Sequence, residues 1–353
     1  MLFKKIKINK KLLILLFVLF LFLFVLIVYQ TNQRKKNYSL RSSDLFSIRK
    51  VIDLVNPLVE IEGVRLLDGL ATEYEQRNNR PVAVLIDNYP GAPRPSISSA
   101  SVVYQMPVEG GMTRFLAIFD PNDLPEDSGP IRSARPYFAE LAEEYKAVFV
   151  HAGGSPEVLL KLRQGFYQVI DLNEISWQGK YFWRSQGSAP HNLYIRKEQI
   201  DNFLDEQKID KKIELDGWRF GYETMTSQGE AINVKINFSK ISTSDWRYNS
   251  EEEAYQLFKN GQIYRDKDGK EILVKNLIVQ LTKIIVLDSV GRRRIELSGS
   301  GEAFVFQKGT TIPIRWSKEI NRTRFYNIAG EEIIMLPGKT WVSIVSSVDQ
   351  VSY

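Results

Sequence analysis

The sequence lacks cysteine altogether and has only two histidines among its 353 residues. The absence of cysteine excludes disulfides, thiolate catalysis, cysteine-ligated zinc and a lipidated amino-terminal cysteine. The histidines, His151 and His191, show no His-x-x-x-His or His-x-His spacing, so we predict neither a metal site nor a cofactor. A hydrophobic fraction of 44% with 25% charged residues is typical of a folded globular chain.

Acidic residues are also absent from the first 36 positions. That segment holds eight of the 47 basic residues, so the rest of the chain carries 39 basic against 42 acidic residues, a net charge of −3. The overall charge of +5 therefore comes from the amino-terminal tail. A basic tail suits anionic lipid headgroups, and the weakly acidic remainder predicts no nucleic-acid partner.

Residues 12–29 contain no charged residue, glycine or proline. As a helix this run is about 27 Å long, close to the roughly 30 Å hydrocarbon core of a bilayer. A cleaved signal peptide is the alternative, but its apolar region is usually about 7 to 15 residues long and is followed by an Ala-x-Ala-like site. We therefore predict that residues 1–36 form a cytoplasmic basic tail and a single-pass transmembrane anchor. The excess of lysines before the run places the body outside the cytoplasm.

After a predicted linker over residues 37–65, residues 66–215 alternate between strand-like and helix-like patterns. Apolar runs of strand length precede Asp87, precede Glu109 and follow Met112, and Glu109-Gly110-Gly111-Met112 is suited to a hairpin. Helices are predicted from about 136 to 145, from 156 to 163 with Ser155 as its cap, and from 197 to 207. Strands interleaved with helices predict a mixed α/β sandwich domain.

Beyond residue 215 the composition changes to short runs of valine, isoleucine and aromatic residues separated by turn signals. Turn signals occur at 266–270, 288–291, 299–301 and 337–339. This spacing predicts a mostly antiparallel, β-rich second domain over residues 230–353, with one helix candidate at 251–260. The predicted fold class is α+β, preceded by an N-terminal transmembrane helix.

Five short motifs together resemble the YerB-like lipoprotein family. They are Asp87-Asn88, the stretch 108–114, Gly129-Pro130-Ile131-Arg132-Ser133-Ala134-Arg135-Pro136, the stretch 150–156, and Ala189-Pro190-His191-Asn192-Leu193-Tyr194. Residues 276–280, 299–301 and 336–341 are similar to the family's carboxy-terminal domain. The resemblance covers roughly residues 55–350 and implies an extracytoplasmic body of two domains. It implies no reaction, because the family is defined by a domain of unknown function. Typical members carry a lipidated cysteine, which the predicted anchor replaces here.

Arginines and a glycine turn suggest an anion-binding site. Arg132 and Arg135 precede one helix and Arg114 follows a hairpin, while the Gly153-Gly154-Ser155 turn opens another helix. Arginine forks and helix amino termini both suit phosphate or carboxylate groups. The residues predicted to bind the ligand are Arg114, Arg132, Arg135, Gly153, Gly154, Ser155, Asn88 and Asn192. The alternative is that these arginines hold Asp87, Asp120 or Glu109 in structural ion pairs.

The two histidines are also candidates for acid-base catalysis. Histidine titrates near neutrality, and His151 or His191 with Glu109 or Asp87 would provide an acid-base pair. Structural hydrogen bonding by the histidines is the alternative. A serine nucleophile is disfavoured because Gly-x-Ser-x-Gly is absent, so Ser155 is interpreted as a helix cap.

These patterns favour a membrane-anchored bacterial cell-envelope protein. Its extracytoplasmic body is predicted to recognise an anionic component such as peptidoglycan, a teichoic polymer or an envelope protein. A cell-wall hydrolase or transferase and a non-catalytic assembly scaffold are the alternatives, so the sequence leaves open whether the chain is an enzyme.

Overall fold

The computed structural model describes residues 63–177, 179–222, 229–318 and 321–353. The predicted anchor at 12–29 and nearly all of the predicted linker lie outside the described residues. Within the described ranges, no helix is long and apolar enough to cross a membrane. The transmembrane anchor therefore stays a prediction.

The described part of the chain is rich in β-strands and has four short α-helices. The helices are α1 Pro136–Glu143, α2 Pro156–Arg163, α3 Glu174–Trp177 and α4 Lys197–Glu206. The predicted helices starting at 136, 156 and 197 are confirmed, and α1 and α2 both begin at a proline, whose missing N–H costs little at that position. The helix α3 was not predicted.

The strands are short and numerous, and half of the 22 described strands belong to one large sheet. Their bounds are β1 Val82–Asp87, β2 Val102–Pro107, β3 Thr113–Phe119, β4 Asp127–Ser128, β5 Val148–His151, β6 Ile170–Asn173, β7 Phe182–Arg184, β8 Leu193–Arg196, β9 Gly229–Glu230, β10 Asn233–Ser239, β11 Ser242–Asn249, β12 Ala254–Lys259, β13 Gln262–Ile263, β14 Leu273–Val274, β15 Asn276–Leu281, β16 Ile284–Val286, β17 Arg293–Ile295, β18 Gly299–Gln307, β19 Thr310–Lys318, β20 Arg324–Tyr326, β21 Thr340–Val345 and β22 Val351–Ser352.

The large sheet has 11 strands in the order β20-β19-β18-β15-β21-β2-β3-β1-β5-β6, with β9 paired to β19. The strands β2, β3 and β1 are antiparallel neighbours, as the predicted hairpin requires, whereas β5 and β6 continue the sheet in parallel with β1. Strand β21 pairs in parallel with both β15 and β2. Strands from both predicted domains thus share one sheet, and the predicted domain boundaries stay predictions.

Three smaller sheets surround the large one. One has the order β13-β12-β11-β10-β22 with β14 paired to β12, another has the order β4-β8-β7, and the third is the hairpin β16-β17. The predicted helix at 251–260 is wrong, because Ala254–Lys259 pairs with β11 and buries its first four side chains. The predicted turn at 299–301 is also wrong, because these residues begin β18. A Cβ at Gly301 would lie 2.5 Å from the Trp316 indole nitrogen, so glycine gives that ring room.

Alternating side chains of the central strands face two separate cores. In β1, Ala83 and Leu85 pack on the side of α1 and α2, whereas Val82, Val84 and Ile86 pack on the side of α4 and the six-stranded sheet. Because side chains alternate along a strand, Asp87 continues the side of Leu85. The parallel strands β1 and β5 therefore bring Asp87 and His151 to the same edge of the sheet.

Candidate functional site

A carboxylate at the end of β1 binds a histidine and an arginine from distant segments. His191 Nδ1 lies 2.5 Å from Asp87 Oδ2, and Arg132 Nε lies 3.5 Å from the same oxygen. The other carboxylate oxygen accepts the Tyr89 amide at 3.0 Å, and the Tyr89 ring stacks on His191 with centroids 4.9 Å apart. Because the carboxylate accepts, Nδ1 donates, and Nε2 of His191 has no hydrogen-bond partner in the described ranges. The His191 side chain is 24% exposed and that of Asp87 only 4%.

The segment 130–134 brings these residues together. It lies across the end of β1, where the Arg132 amide donates to the Leu85 carbonyl and the Asp87 amide donates to the Pro130 carbonyl. On its other side, the Ile131 amide donates to the Leu193 carbonyl of β8, directly after the loop that carries His191. The Arg132 guanidinium also donates to the Pro190 carbonyl at 3.2 Å. Main-chain hydrogen bonds therefore fix the relative positions of Asp87, Arg132 and His191.

Arg114, Arg132 and Arg135 form what we call the arginine cluster. Arg114 lies opposite Asp87 in the β1–β3 register and donates to the Ser133 carbonyl at 2.6 Å. Arg135 Nε lies 2.5 Å from Glu109 Oε1. Burial lowers the pKa of Arg114 to about 10, and the positive charges of Arg135 and Arg132 act in the same direction. Arg132 and Arg135 are therefore close enough to Arg114 for their charges to repel its guanidinium group.

Glu109 is the second carboxylate at this cluster. Burial alone would raise its pKa, but the Arg135 hydrogen bond and the charges of Arg135 and Arg114 lower the pKa below its ordinary value. With Asp87, Glu109 supplies two negative charges against three positive ones. The arginine cluster therefore keeps a surplus of positive charge.

His151 lies apart from this cluster in a closed environment. Its side chain is fully buried and stacks on Phe149, with ring centroids 4.7 Å apart. Nδ1 lies 2.7 Å from the Gly153 carbonyl oxygen and Nε2 lies 2.7 Å from Asp171 Oδ1. Both ring nitrogens are thus within hydrogen-bond distance of protein oxygens, and the geometry leaves neither nitrogen for a ligand. The structure brings His191, but not His151, into contact with Asp87.

The glycine turn between β5 and α2 packs against the segment 130–134, which carries Arg132. The Gly153 amide donates to Asn173 Oδ1, and its carbonyl accepts from the Ala134 amide as well as from His151. A Cβ at Gly154 would lie 2.6 Å from a Val158 side-chain carbon, so the turn packs tightly on α2. Ser155 occupies the N-cap position of α2 without a side-chain capping hydrogen bond, so the predicted cap hydrogen bond is absent. Its buried hydroxyl has no partner in the described part of the chain.

The two predicted asparagines brace loops at the site. Asn88 donates to Thr113 Oγ1 at 2.7 Å, which ties the end of β1 to the start of β3. Asn192 donates to the Ser185 and Gly187 carbonyls, which closes the loop before His191. Asn88 also lines a pocket of about 310 Å³ together with Asp87 and Tyr89.

Sequence reasoning missed Asp171 and Tyr89, which contact the two histidines. Asp171 lies inside β6 without any turn or glycine signal, so only the pairing of β6 with β5 reveals its role. Tyr89 directly follows Asp87-Asn88, so its position beside the motif was a usable signal. The described residues include no group of three or more histidine, aspartate or glutamate side chains placed to hold a metal ion.

Comparison with known proteins gives a consistent result across the body of the chain. A protein family of unknown function, DUF3048, matches by its N-terminal domain over residues 67–210 and by its C-terminal domain over residues 234–342. The "Putative lipoprotein YerB" of Bacillus subtilis (strain 168) is 32% identical over 292 residues, which is 81% of this chain and 87% of the relative. The crystal structure of the Bacillus subtilis YerB protein is similar with a TM-score of 0.74 and 32% identity, covering 82% of this chain and 98% of that one. The resemblance carried by the motifs is thus confirmed, and the chain belongs to the YerB-like family.

Proposed function

We propose that this chain is a membrane-anchored, extracytoplasmic envelope protein whose body binds an anionic envelope component at the arginine cluster. The relative named "Putative lipoprotein YerB" and the apolar run at 12–29 support the envelope placement. The observation that carries the binding function is the surplus of positive charge, with three clustered arginines against the carboxylates of Asp87 and Glu109.

The surplus charge favours an anionic ligand for an electrostatic reason. A buried cation without a full counter-charge is unfavourable, and the lowered pKa of Arg114 reflects that penalty. Arg132 and Arg135 keep about 15% of their side chains exposed and supply the contacts to the ligand. Arg114 is more deeply buried and contributes as a fixed positive charge behind them. Phosphate or carboxylate groups of a teichoic polymer, of peptidoglycan or of an envelope protein would relieve the repulsion.

A binding assay with a matched control tests this proposal. The full-length chain in detergent micelles is titrated with poly(glycerol phosphate), and the affinity is compared between Arg132→Gln and Arg219→Gln. Arg219 is exposed and makes no side-chain hydrogen bond or ion pair in the described ranges. We expect Arg132→Gln to weaken binding about tenfold, the loss of one charge-assisted contact. Equal binding by both variants would refute the arginine cluster as the site.

Acid-base chemistry at His191 is a second candidate function. The observation that favours it is the 2.5 Å contact of Nδ1 with Asp87, which leaves Nε2 of a partly exposed ring without a partner among the described residues. A histidine oriented by a carboxylate in this way is a suitable general acid or base. Substituting His191→Gln and measuring cell-wall turnover tests it. Loss of turnover with intact folding supports chemistry, whereas unchanged turnover leaves the binding function or a scaffold role.

A further inference from the structure

The pocket beside Asp87 is built from two segments that are distant in the sequence. One wall is the loop Tyr89 to Pro95, and the other is the end of β12 with the turn into β13, up to Tyr264. Its volume of about 310 Å³ lies at the small end of the range of ligand pockets, roughly 300 to 1,000 Å³. The pocket therefore fits one small group or one unit of a polymer.

Two cations line this pocket without a counter-ion. Arg94 and Lys259 are exposed side chains that make no ion pair with any described residue. The carboxylate of the pocket, Asp87, is already engaged by His191 and Arg132. The pocket surface thus carries net positive charge, which favours an anionic ligand.

Two tyrosine rings give the pocket apolar walls. The Tyr89 ring stacks on His191 yet leaves 44% of the residue exposed, and the Tyr264 ring lies 5.4 Å from Lys259 Nζ. The face of an aromatic ring carries partial negative charge and packs against the partly positive C–H groups of a saturated ring. The amide of Gln262 lines the same pocket and suits hydroxyl groups.

We propose that this pocket binds an acidic sugar residue of a glycan. Its carboxylate or phosphate lies between Arg94 and Lys259, and its ring packs on Tyr89 and Tyr264. The inference rests on the proposed function, because it names the chemical class of the anionic component and places its sugar beside the arginine cluster. It also assigns ligand contacts to the carboxy-terminal segment, through Lys259 and Tyr264.

Saturation-transfer NMR on the full-length chain in detergent micelles tests this assignment. The probes are a trisaccharide of uronic acid units and a neutral trisaccharide of the same length. We expect the acidic probe to bind and the neutral probe to bind at least about tenfold more weakly, because it lacks the charge-assisted contacts. Equal binding of the two probes would overturn the proposal.

Variants separate this pocket from the arginine cluster. Arg94→Gln and Lys259→Gln should each weaken the acidic probe about tenfold. The control Lys235→Gln, which changes an exposed lysine of β10, should leave binding unchanged, and thermal melts verify folding. If the pocket variants bind normally while Arg132→Gln does not, the acidic-sugar pocket is refuted and the arginine cluster stands. If the pocket variants lose binding and Arg132→Gln keeps it, the pocket stands and the cluster is refuted. Absence of acidic-probe binding by every form refutes the acidic-sugar pocket, whereas the arginine cluster is decided by the poly(glycerol phosphate) titration.

Discussion

The two histidines of this chain form similar contacts in opposite environments. Each ring lies close to one aspartate, His151 at 2.7 Å from Asp171 and His191 at 2.5 Å from Asp87. The His151 ring is fully buried with acceptors at both nitrogens, whereas the His191 ring is 24% exposed with one nitrogen unpartnered in the described ranges. In the first pair the histidine is the buried member, and in the second pair the aspartate is.

This difference predicts a structural role for His151 and a place in the proposed binding site for His191. His151 connects β5, β6 and the glycine turn. Its hydrogen bonds therefore stabilise the edge of the sheet on which the segment 130–134 lies. His191 belongs to a loop held by Pro190 and Asn192 contacts, and it shares the Asp87 carboxylate with Arg132 of the arginine cluster. We therefore expect His151 to stabilise the structure around the proposed site and His191 to form part of that site.

The largest effect is expected from His151→Ala. The change opens a cavity against Phe149 and leaves the Gly153 carbonyl with one hydrogen bond fewer, so we expect a loss of about 3 kcal/mol in the free energy of unfolding. Chemical denaturation of the full-length chain measures it. A loss no greater than that of His191→Ala would contradict the structural role.

A smaller loss is expected from Asp87→Asn, about 2 kcal/mol, because the neutral amide no longer balances the charge of Arg132. The matched control is Asp171→Asn, whose carboxylate is 32% exposed and therefore better screened by water. Denaturation curves compare the two variants. An equal loss in both would show that burial does not distinguish the pairs.

Glu109 adds a pH dependence to the exposed site. Its folded-state pKa is lowered, so its contribution to stability is complete above about pH 4.5, the ordinary glutamate value, and is lost as the pH falls through the folded-state pKa. We expect Glu109→Gln to lose less stability on acidification than the unmodified chain. Denaturation curves recorded below about pH 5, where glutamate side chains become protonated, measure this difference. Glu198→Gln, on the exposed first turn of α4, is the control. An unchanged acid slope for Glu109→Gln would argue against the Arg135 ion pair.

The smallest effect on stability is expected from His191→Ala, less than about 1 kcal/mol, because its ring is partly exposed and donates one hydrogen bond. Denaturation measures this loss under the same conditions as for His151→Ala. Unfolding of the His191 variant at room temperature would reverse the comparison and assign His191 a structural role.

Local signals in the sequence predicted the elements but not their long-range pairing. The prolines at 136 and 156 and the Glu109-Gly110-Gly111 turn mark α1, α2 and the β2–β3 hairpin, because backbone preferences act over a few residues. The pairing of β21 with β2, far away in the chain, has no local signal. The segment 251–260 was a helix candidate, yet pairing with β11 makes Ala254–Lys259 a strand.

The sequence indicated which residues belong to the candidate site, but not which of them are in contact. Asp87 and His191 are 104 residues apart; Asp87 was selected at the end of an apolar run and His191 within a dense motif. Which histidine lies beside the arginine cluster depends on burial, and burial depends on the order of strands in the sheet. Arg94 and Lys259 went unnoticed for the same reason, since only the fold brings their loops together.

¹⁵N NMR of the histidine rings in the full-length chain is the most direct test of the proposed anion site. Two histidines give two sets of ring signals, which single His→Gln substitutions assign. On titration with poly(glycerol phosphate), the ring signals of His191 should shift and saturate, while those of His151 stay in place. Shifts of His151 alone, or no shift of either ring at saturating polymer, would contradict an anion site at Asp87, His191 and the arginine cluster.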